Sequence, residues 1–353
     1  MNILFLSAWY PTERDQMAGL FVQKHADAVR AQGADVRGIY TEEKGWRYWR
    51  EMIRGLRALR KEGWRPDVVQ MNVITKYALI AEWLRIFHHI PYVIIEHWTG
   101  YLSINKRLHN PLHILWLQWI VRHAERVMPV SLNLQQAMET MGLHGKYEVI
   151  QNVVDDFFYE GVRNSDRFAE GVRNIHLLHV SCFDEEHKNA CGILRMAEKL
   201  WEIRQDWQLT LVGTGPDFEQ VKEFASTLNI PSDRLIWTGE IPPKEVSDLF
   251  HEADIFILFS NFENAPVVIS ESLAVGCPVV SSDVGGINEM IPTECGLLVP
   301  ARDEVALLQA VQQVMEHPEA YNKNTIREYG KLYQYDIIGK KLMKVYVETR
   351  ANK

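Results

Sequence analysis

Nowhere in the 353 residues is there an Asp-x-Asp pair, the usual device for holding a divalent ion on a diphosphate, and no His/Cys cluster stands at ligand spacing. The sequence therefore predicts no metal and no resident cofactor. Cysteine is scarce as well: Cys182, Cys191, Cys277 and Cys295 all fall in the second half, with no C-x-x-C among them. Thiols so few and so spaced exclude a disulfide scaffold and structural zinc, and they point to a reducing cytoplasm. No stretch approaches the roughly 18 to 20 apolar residues of a spanning helix. The opening segment Met1–Tyr10 lacks the basic flank of a secretory leader, and Pro11 cuts its apolar run. It reads as a buried strand entering a loop, in a protein neither secreted nor integral to a membrane.

Positive charge is in deficit: 38 Lys and Arg against 46 Asp and Glu leave a net −8, which argues against a dedicated nucleic-acid binder. The deficit is uneven, with a net of +3 over residues 1–165 and −11 over the remainder. Segment 46–65 sets the sign of the first part, with seven basic residues against two acidic ones. At helical spacing Trp49, Met52, Ile53, Leu56 and Leu59 form an apolar stripe, with Arg47, Arg50, Arg54, Arg57 and Lys61 largely outside it. Such a helix either packs on its own domain with solvated arginines, or lies on anionic lipid with Trp46, Tyr48 and Trp64 at headgroup level. The second reading makes an anionic membrane surface a partner and holds the protein peripherally on the inner face of the plasma membrane.

What the chain does contain is alternation. Short apolar runs and longer amphipathic segments succeed one another, as in βα units with parallel sheets. Candidate strands are Ile3–Ser7, Val36–Tyr40, Val68–Met71, Tyr92–Ile95, Arg126–Val130 and Glu148–Ile150, then Ile175–Val180, Gln208–Val212, Leu235–Thr238, Ile255–Phe259, Pro278–Ser281 and Leu297–Val299. The pattern lapses over 155–174, a polar stretch read as linker and surface loop. The length is more than one core usually organises. The fold class is therefore α/β, with two doubly wound Rossmann-like domains on either side of a cleft. Their bounds are 1–160 and 161–335, and a terminal helix over 336–353 packs across the joint.

In open parallel sheets, ligands bind beyond the carboxyl ends of strands, where loops enter helices. The clearest such place is Ile255–Leu273: an apolar strand, a loop holding Glu263, Pro266 at the first helical position, and Glu271 on the second turn. Amides at that helix start suit a phosphate. The two flanking carboxylates would repel phosphate but accept hydrogen bonds from hydroxyls, one near a sugar ring and one near a ribose. Taken singly, Glu263 is equally a first-turn acid complementing the helix dipole, and Glu271 a solvated helix residue.

The segment resembles the donor-binding signature of glycosyltransferase family 4, the retaining group 1 enzymes of GT-B fold, whose mark is Glu-x7-Glu after a strand. Val212-Gly-Thr-Gly-Pro216, Thr238-Gly239, Asn152-Val-Val-Asp155 and the Pro-Val-Val-Ser-Ser-Asp-Val-Gly-Gly run over 278–286 are similar to the family in the same order, so the likeness spans nearly the whole chain. The resemblance implies a nucleotide-sugar donor and a saccharide or lipid-linked acceptor, as in bacterial surface polysaccharide or glycolipid synthesis. It implies that Glu271 holds the ribose and Glu263 the transferred sugar, while the backbone of Asn264, Ala265, Pro266 and Val267 meets sugar and diphosphate. Gly19 would admit the ligand close to the first loop, His97 would face the sugar across the cleft, and Lys188 would meet the diphosphate. His97 read by itself is equally a hydrogen-bonded core histidine. The family's usual arginine falls on Cys182, whose thiol cannot supply that charge; either His187 makes up part of it, or Lys188 and the helix end suffice. The implied chemistry is a metal-independent, same-face hexosyl transfer in which the departing phosphate helps take the acceptor's proton.

Trp98, Tyr101 and the aromatic stretch 112–119 could line an acceptor surface, although core packing accounts for the last equally well. Three other functions suit two doubly wound domains. A nicotinamide oxidoreductase is opposed by Phe218, which ends the Gly213-Thr-Gly215 run where a small residue is needed, and by the lack of an acid some 20 positions on. A sugar-nucleotide epimerase would bind the same donor. A non-catalytic nucleotide-sugar-binding subunit would explain Cys182.

Overall fold

A computed structural model describes residues 1–11, 18–41, 43, 45–102, 110–161 and 174–351. The polar stretch read as a linker thus lies in large part outside the described residues. The chain divides into two compact units, Met1–Val153 with Gln334–Lys353, and Val154–Tyr333. Against the expected bounds at 160 and 335, residues 154–160 go with the second unit and 334–335 with the first.

In the first unit the elements run β1 (Asn2–Ser7), α1 (Leu20–Ala31), β2 (Asp35–Tyr40), α2 (Trp46–Lys61), β3 (Val68–Asn72), α3 (Ala78–His88), β4 (Tyr92–Glu96), α4 (Pro111–His123), β5 (Arg126–Pro129) and α5 (Leu132–Thr140). The strands form one parallel sheet in the order β2-β1-β3-β4-β5. β3 and β4 are buried at every position, as continuous apolar strands covered on both faces must be. Glu148–Ile150, expected as a strand, is not one. Its amides bond Val127 and Pro129, but the only bridge there joins Val127 to Tyr147, so the segment is a tethered edge.

The second unit follows with β6 (Ile175–Val180), α6 (Glu185–Lys188), α7 (Ala190–Ile203), β7 (Trp207–Val212), α8 (Phe218–Ser226), β8 (Leu235–Gly239), α9 (Pro243–Glu252), β9 (Ile255–Leu258), α10 (Val267–Val275), β10 (Val279–Ser282), β11 (Gly296–Val299), α11 (Glu304–Glu316) and α12 (Lys323–Gly330). Its sheet, also parallel, runs β11-β10-β9-β6-β7-β8. The reversal of strand order between β6 and β9 is the topological switch at which α/β sheets take ligands.

The terminal helix α13 (Tyr335–Ala351) packs on α1 and β3 of the first unit. Ile338, Leu342, Val345 and Tyr346 are fully buried there, each contributing about 1.5 to 3 kcal/mol. The Tyr346 hydroxyl donates to Gln70 Oε1 within the β3 layer. The last helix thus completes the core of the first unit.

Of the stripe expected on helix α2, Met52 is buried, Trp49, Leu56 and Leu59 are half-buried, and Ile53 is exposed. Tyr48 and Met52 are buried, and Gly55 lets the helix approach Ile39, while Ile53 and Trp46 stay 44% and 67% exposed. Trp64 is buried and donates to Asp35 Oδ2 at 2.8 Å. Tyr48 and Trp64 therefore do not stand at a headgroup level, because both are committed to the fold.

Candidate active site

The Glu-x7-Glu segment lies at the carboxyl end of β9, beside the switch. Pro266 stands at the N-cap of α10 rather than at its first helical position, with ψ at 122°, and no side chain caps this helix end. The positive end of the helix dipole therefore stands at this loop, with the Ile269 N–H turned back to Pro266 O at 3.1 Å. Glu263 lies in the loop before the helix at 9% exposure, and Glu271, half-buried, on its second turn.

The run over 278–286 that the resemblance singled out fixes this loop at two places. Ser281 and Ser282 of β10 donate to the carbonyls of Leu258 and Ser260 at 2.8 and 2.6 Å, tying strand β10 to the start of the loop. Gly286 N–H donates to Asn264 O at 2.9 Å. Gly285 has φ +58°, and a Cβ there would overlap the Glu263 carbonyl, so only glycine closes this corner.

Lys188 ends the short helix α6, whose N-cap Asp184 accepts from His187 N–H. That helix docks on the loop through Asn261, which donates its backbone N–H to His187 O at 2.7 Å and its side-chain amide to Glu186 O at 2.9 Å. The dock carries Lys188 Nζ to 2.6 Å from Glu263 Oε1, and Ser260 Oγ donates to the same oxygen at 2.8 Å. Burial opposes the Lys188 charge, but the Glu263 carboxylate, with Cys182 and Asp184 nearby, outweighs it and raises the pKa above the ordinary lysine value. Of the two substitutes for the missing arginine, His187 is spoken for: its Nδ1 lies 2.9 Å from Asp184 Oδ1. Cys182 is exposed, close enough to Lys188 to act on its charge.

The Gly213–Gly215 run serves packing. Phe183 N–H donates to Thr214 O at 3.0 Å, and Asp217 N–H to Phe183 O at 2.9 Å, so this loop is stitched to 181–183. Beneath it, His179 is fully buried between Ile257 O and Ser181 Oγ, and burial lowers its pKa to about 4. Nothing along the chain marks it, because it sits in an apolar strand like any core residue.

In the first unit, Gly19 caps α1 at φ +67°, where a Cβ would overlap the Trp9 backbone. His97 follows β4 with its ring 4.2 Å from Phe21 and 5.7 Å from His25. Burial, reinforced by His25, holds its pKa well below the ordinary value, so the imidazole is neutral. Beside it is a residue that sequence reasoning missed. The Glu96 carboxylate is buried and accepts from the amides of Ile74, His97 and Trp98 at 3.0, 3.0 and 2.9 Å and from Tyr101 Oη at 3.2 Å. Burial pushes its pKa up to about 7, with the hydrogen bonds limiting the rise. An acid closing an otherwise apolar strand, Tyr-Val-Ile-Ile-Glu, was the available signal.

Tyr101, expected on an acceptor surface, is instead buried as a Glu96 partner, with Trp98 set edge-on against it. A different aromatic place opens at the carboxyl ends of β1, β2 and β3. A cavity of about 490 Å³ is lined there by Trp9, Tyr10, Tyr48, Tyr77, Thr75 and Lys76 among others. Among the described residues no three His, Cys, Asp or Glu side chains gather as a metal site, and no helix is long and apolar enough to cross a membrane.

Two parallel-sheet α/β units, the second with an uncapped helix between two glutamates at its switch, define the GT-B class of protein. The profile of the family "Glycosyl transferases group 1" matches residues 149–332, and that of "Glycosyl transferase 4-like domain" matches 9–152. The chain belongs to the group 1 glycosyltransferases. It is 27% identical over 284 residues to glycogen synthase of Mycobacterium tuberculosis, a match covering 76% of this chain and 66% of that protein, so the chain spans just under two thirds of that relative. Other relatives are named for polysaccharide and glycolipid synthesis, over smaller shares of their length. Among solved structures, sucrose-phosphate synthase from Thermosynechococcus elongatus has a TM-score of 0.80 at 19% identity, covering 100% of both chains. Anabaena HepE in complex with UDP has 0.77 at 16%, covering 99% of this chain and 100% of that one.

Proposed function

We propose that the protein is a metal-independent, retaining glycosyltransferase that moves a sugar from a nucleotide-sugar donor to a saccharide or lipid-linked acceptor. The observation that carries this reading is the uncapped start of α10, set between Glu263 and Glu271, with Lys188 held against Glu263. The diphosphate lies at the amides of Asn264 to Val267, where the helix dipole favours negative charge. Lys188 exchanges its Glu263 partner for phosphate oxygen and stabilises the charge that grows as the phosphate departs. Glu263, thereby released, accepts from a hydroxyl of the sugar, and Glu271 accepts from the ribose. His97 of the first unit, neutral, can act as a hydrogen-bonding group and not as a cation. The UDP complex of Anabaena HepE supports a nucleoside diphosphate in this role.

The acceptor occupies the aromatic cavity of the first unit, where Trp9, Tyr10, Tyr48 and Tyr77 offer flat apolar faces to a sugar ring, with Thr75 and Lys76 for its polar groups. A panel of nucleotide-sugars tested by thermal shift checks the donor. A true donor at 100 times its dissociation constant adds about 2.7 kcal/mol of stability, and a panel without any stabilising member overturns the reading. One observation favours a second reading, a non-catalytic donor-binding subunit: Cys182 stands exposed where the family carries arginine. Donor stabilisation without transfer or donor hydrolysis would select it.

A further inference from the structure

The lipid contact expected of α2 alone has a larger basis in the fold. The connections β2→β3, β3→β4 and β4→β5 all step the same way across the sheet, and right-handed crossovers put α2, α3 and α4 on one face. Side chains bear this out. Tyr48 of α2 meets Tyr77 at the start of α3 with ring centroids 5.3 Å apart. Tyr92 Oη bonds both Glu82 of α3 and Ile120 O of α4.

Two of these helices carry apolar stripes on their outer sides. Leu79, Trp83, Ile86 and Phe87 of α3 follow helical spacing and are 48, 45, 47 and 68% exposed. Leu112, Leu115 and Trp119 of α4 do the same at 74, 60 and 41%. Isolated exposed apolar residues are ordinary, but two adjoining stripes with three tryptophan or phenylalanine rings are not.

The charge around them is of one sign. In the three helices the only acids are Glu51, paired with Arg50 and Arg54, and Glu82, buried and paired with Arg85. Against them stand Arg47, Arg50, Arg54, Arg57, Arg60 and Lys61 on α2 alone. Where α3 and α4 end, at the amino ends of β4 and β5, lies a basin of about 640 Å³. Arg85, Arg122, Lys146, His89, His123 and His144 line it, with Glu125 as its one acid. This is the opposite end of the strands from the aromatic cavity. Basic residues at helix ends also complement the dipole, and Lys146 pairs with Glu125 at 3.2 Å, yet neither accounts for the apolar stripes beside the basin.

We propose that the outer face of α2, α3 and α4 docks on an anionic phospholipid bilayer, with the apolar stripes entering the interface and a headgroup phosphate seated in the basic basin. The occupant is a bilayer rather than a protein because apolar and aromatic rows flanked by a large excess of cations match the layering of acyl chain beneath anionic headgroup. The inference deepens the lipid-linked acceptor reading, but it is tested without catalysis.

The full chain is sedimented with vesicles of phosphatidylglycerol and of phosphatidylcholine. Binding is expected to the first and not the second. Phe87→Glu with Leu115→Glu should weaken it by about tenfold or more, and Arg122→Glu by about fivefold, with thermal stabilisation by the donor unchanged in each variant. Absence of wild-type binding to phosphatidylglycerol overturns the proposal. So does binding indifferent to the Phe87 and Leu115 changes, or a concentration-dependent dimer that those changes dissolve. Failure of donor stabilisation alone would strike the transferase reading and leave the docking face standing.

Discussion

Lys188 Nζ sits 2.6 Å from Glu263 Oε1, and the two residues lie 75 positions apart in the chain. The pair joins the diphosphate ligand of the proposed donor site to its sugar ligand, so each masks the other until donor arrives. Glu263 is 9% and the Lys188 side chain 19% exposed, which makes the pair sensitive to loss of either member.

Removing one partner of a nearly buried ion pair leaves an uncompensated charge. Lys188→Met should therefore lower stability by about 2 to 3 kcal/mol, while the double change with Glu263→Gln should cost less than the sum of the single changes. Urea midpoints of the four proteins check this; additivity would mean that the pair does not form.

The two glutamates should fail differently. Glu271→Ala is expected to weaken donor binding by about tenfold or more through loss of a charged hydrogen bond. Glu263→Ala should lower kcat more than affinity, because its hydroxyl contact lies beside the bond being broken. Titration calorimetry and initial rates separate these effects, and wild-type transfer in both variants removes the assignment.

The glycine corner tests the loop rather than the chemistry. Gly285→Ala adds a Cβ at φ +58° against the Glu263 carbonyl. It should cost about 2 kcal/mol or more and abolish donor-induced thermal stabilisation. Retention of both would show that the loop tolerates displacement.

Glu96 gives a pH signature. Its pKa is about 7 in the folded protein, above that of an unfolded carboxyl. As pH rises from 4.5 to 7 the unfolded chain gives up this proton first, so stability falls across that window by about 3 kcal/mol. His25, His179 and His251, lowered by burial to about 4, act in the opposite sense: their contribution grows as pH rises from 4 to 6.5. The difference between wild-type and Glu96→Gln stability isolates the acid. The variant loses an acceptor at all pH values, but its stability should gain on the wild type between pH 5 and 7. A pH-independent difference would place the Glu96 pKa at its ordinary value.

Much of the fold was legible because parallel strands buried on both faces must be apolar throughout, and their runs stand out between amphipathic helices. Glu148–Ile150 shows the limit: an extended segment bonded along a sheet edge has the composition of a strand without its ladder. The loop before α10 was legible for another reason. Strand, loop, proline and helix are consecutive, so Glu263 and Glu271 are placed by local geometry alone.

The sequence by itself determined the two α/β units, the order of their motifs, the position of the two glutamates around a helix start, and the missing arginine at Cys182. Only the tertiary structure decided that His187 answers to Asp184, that Lys188 reaches Glu263, that Glu96 gathers the loops after β3 and β4, and that the last helix completes the first core. It also decided which aromatic residues face outward, since Trp83, Phe87 and Trp119 read no differently from core residues along the chain. The physical reason is common to all of these. Periodicity and local dipoles are properties of neighbours in sequence, whereas burial, ion pairing and exposed surface depend on which distant segments pack against one another.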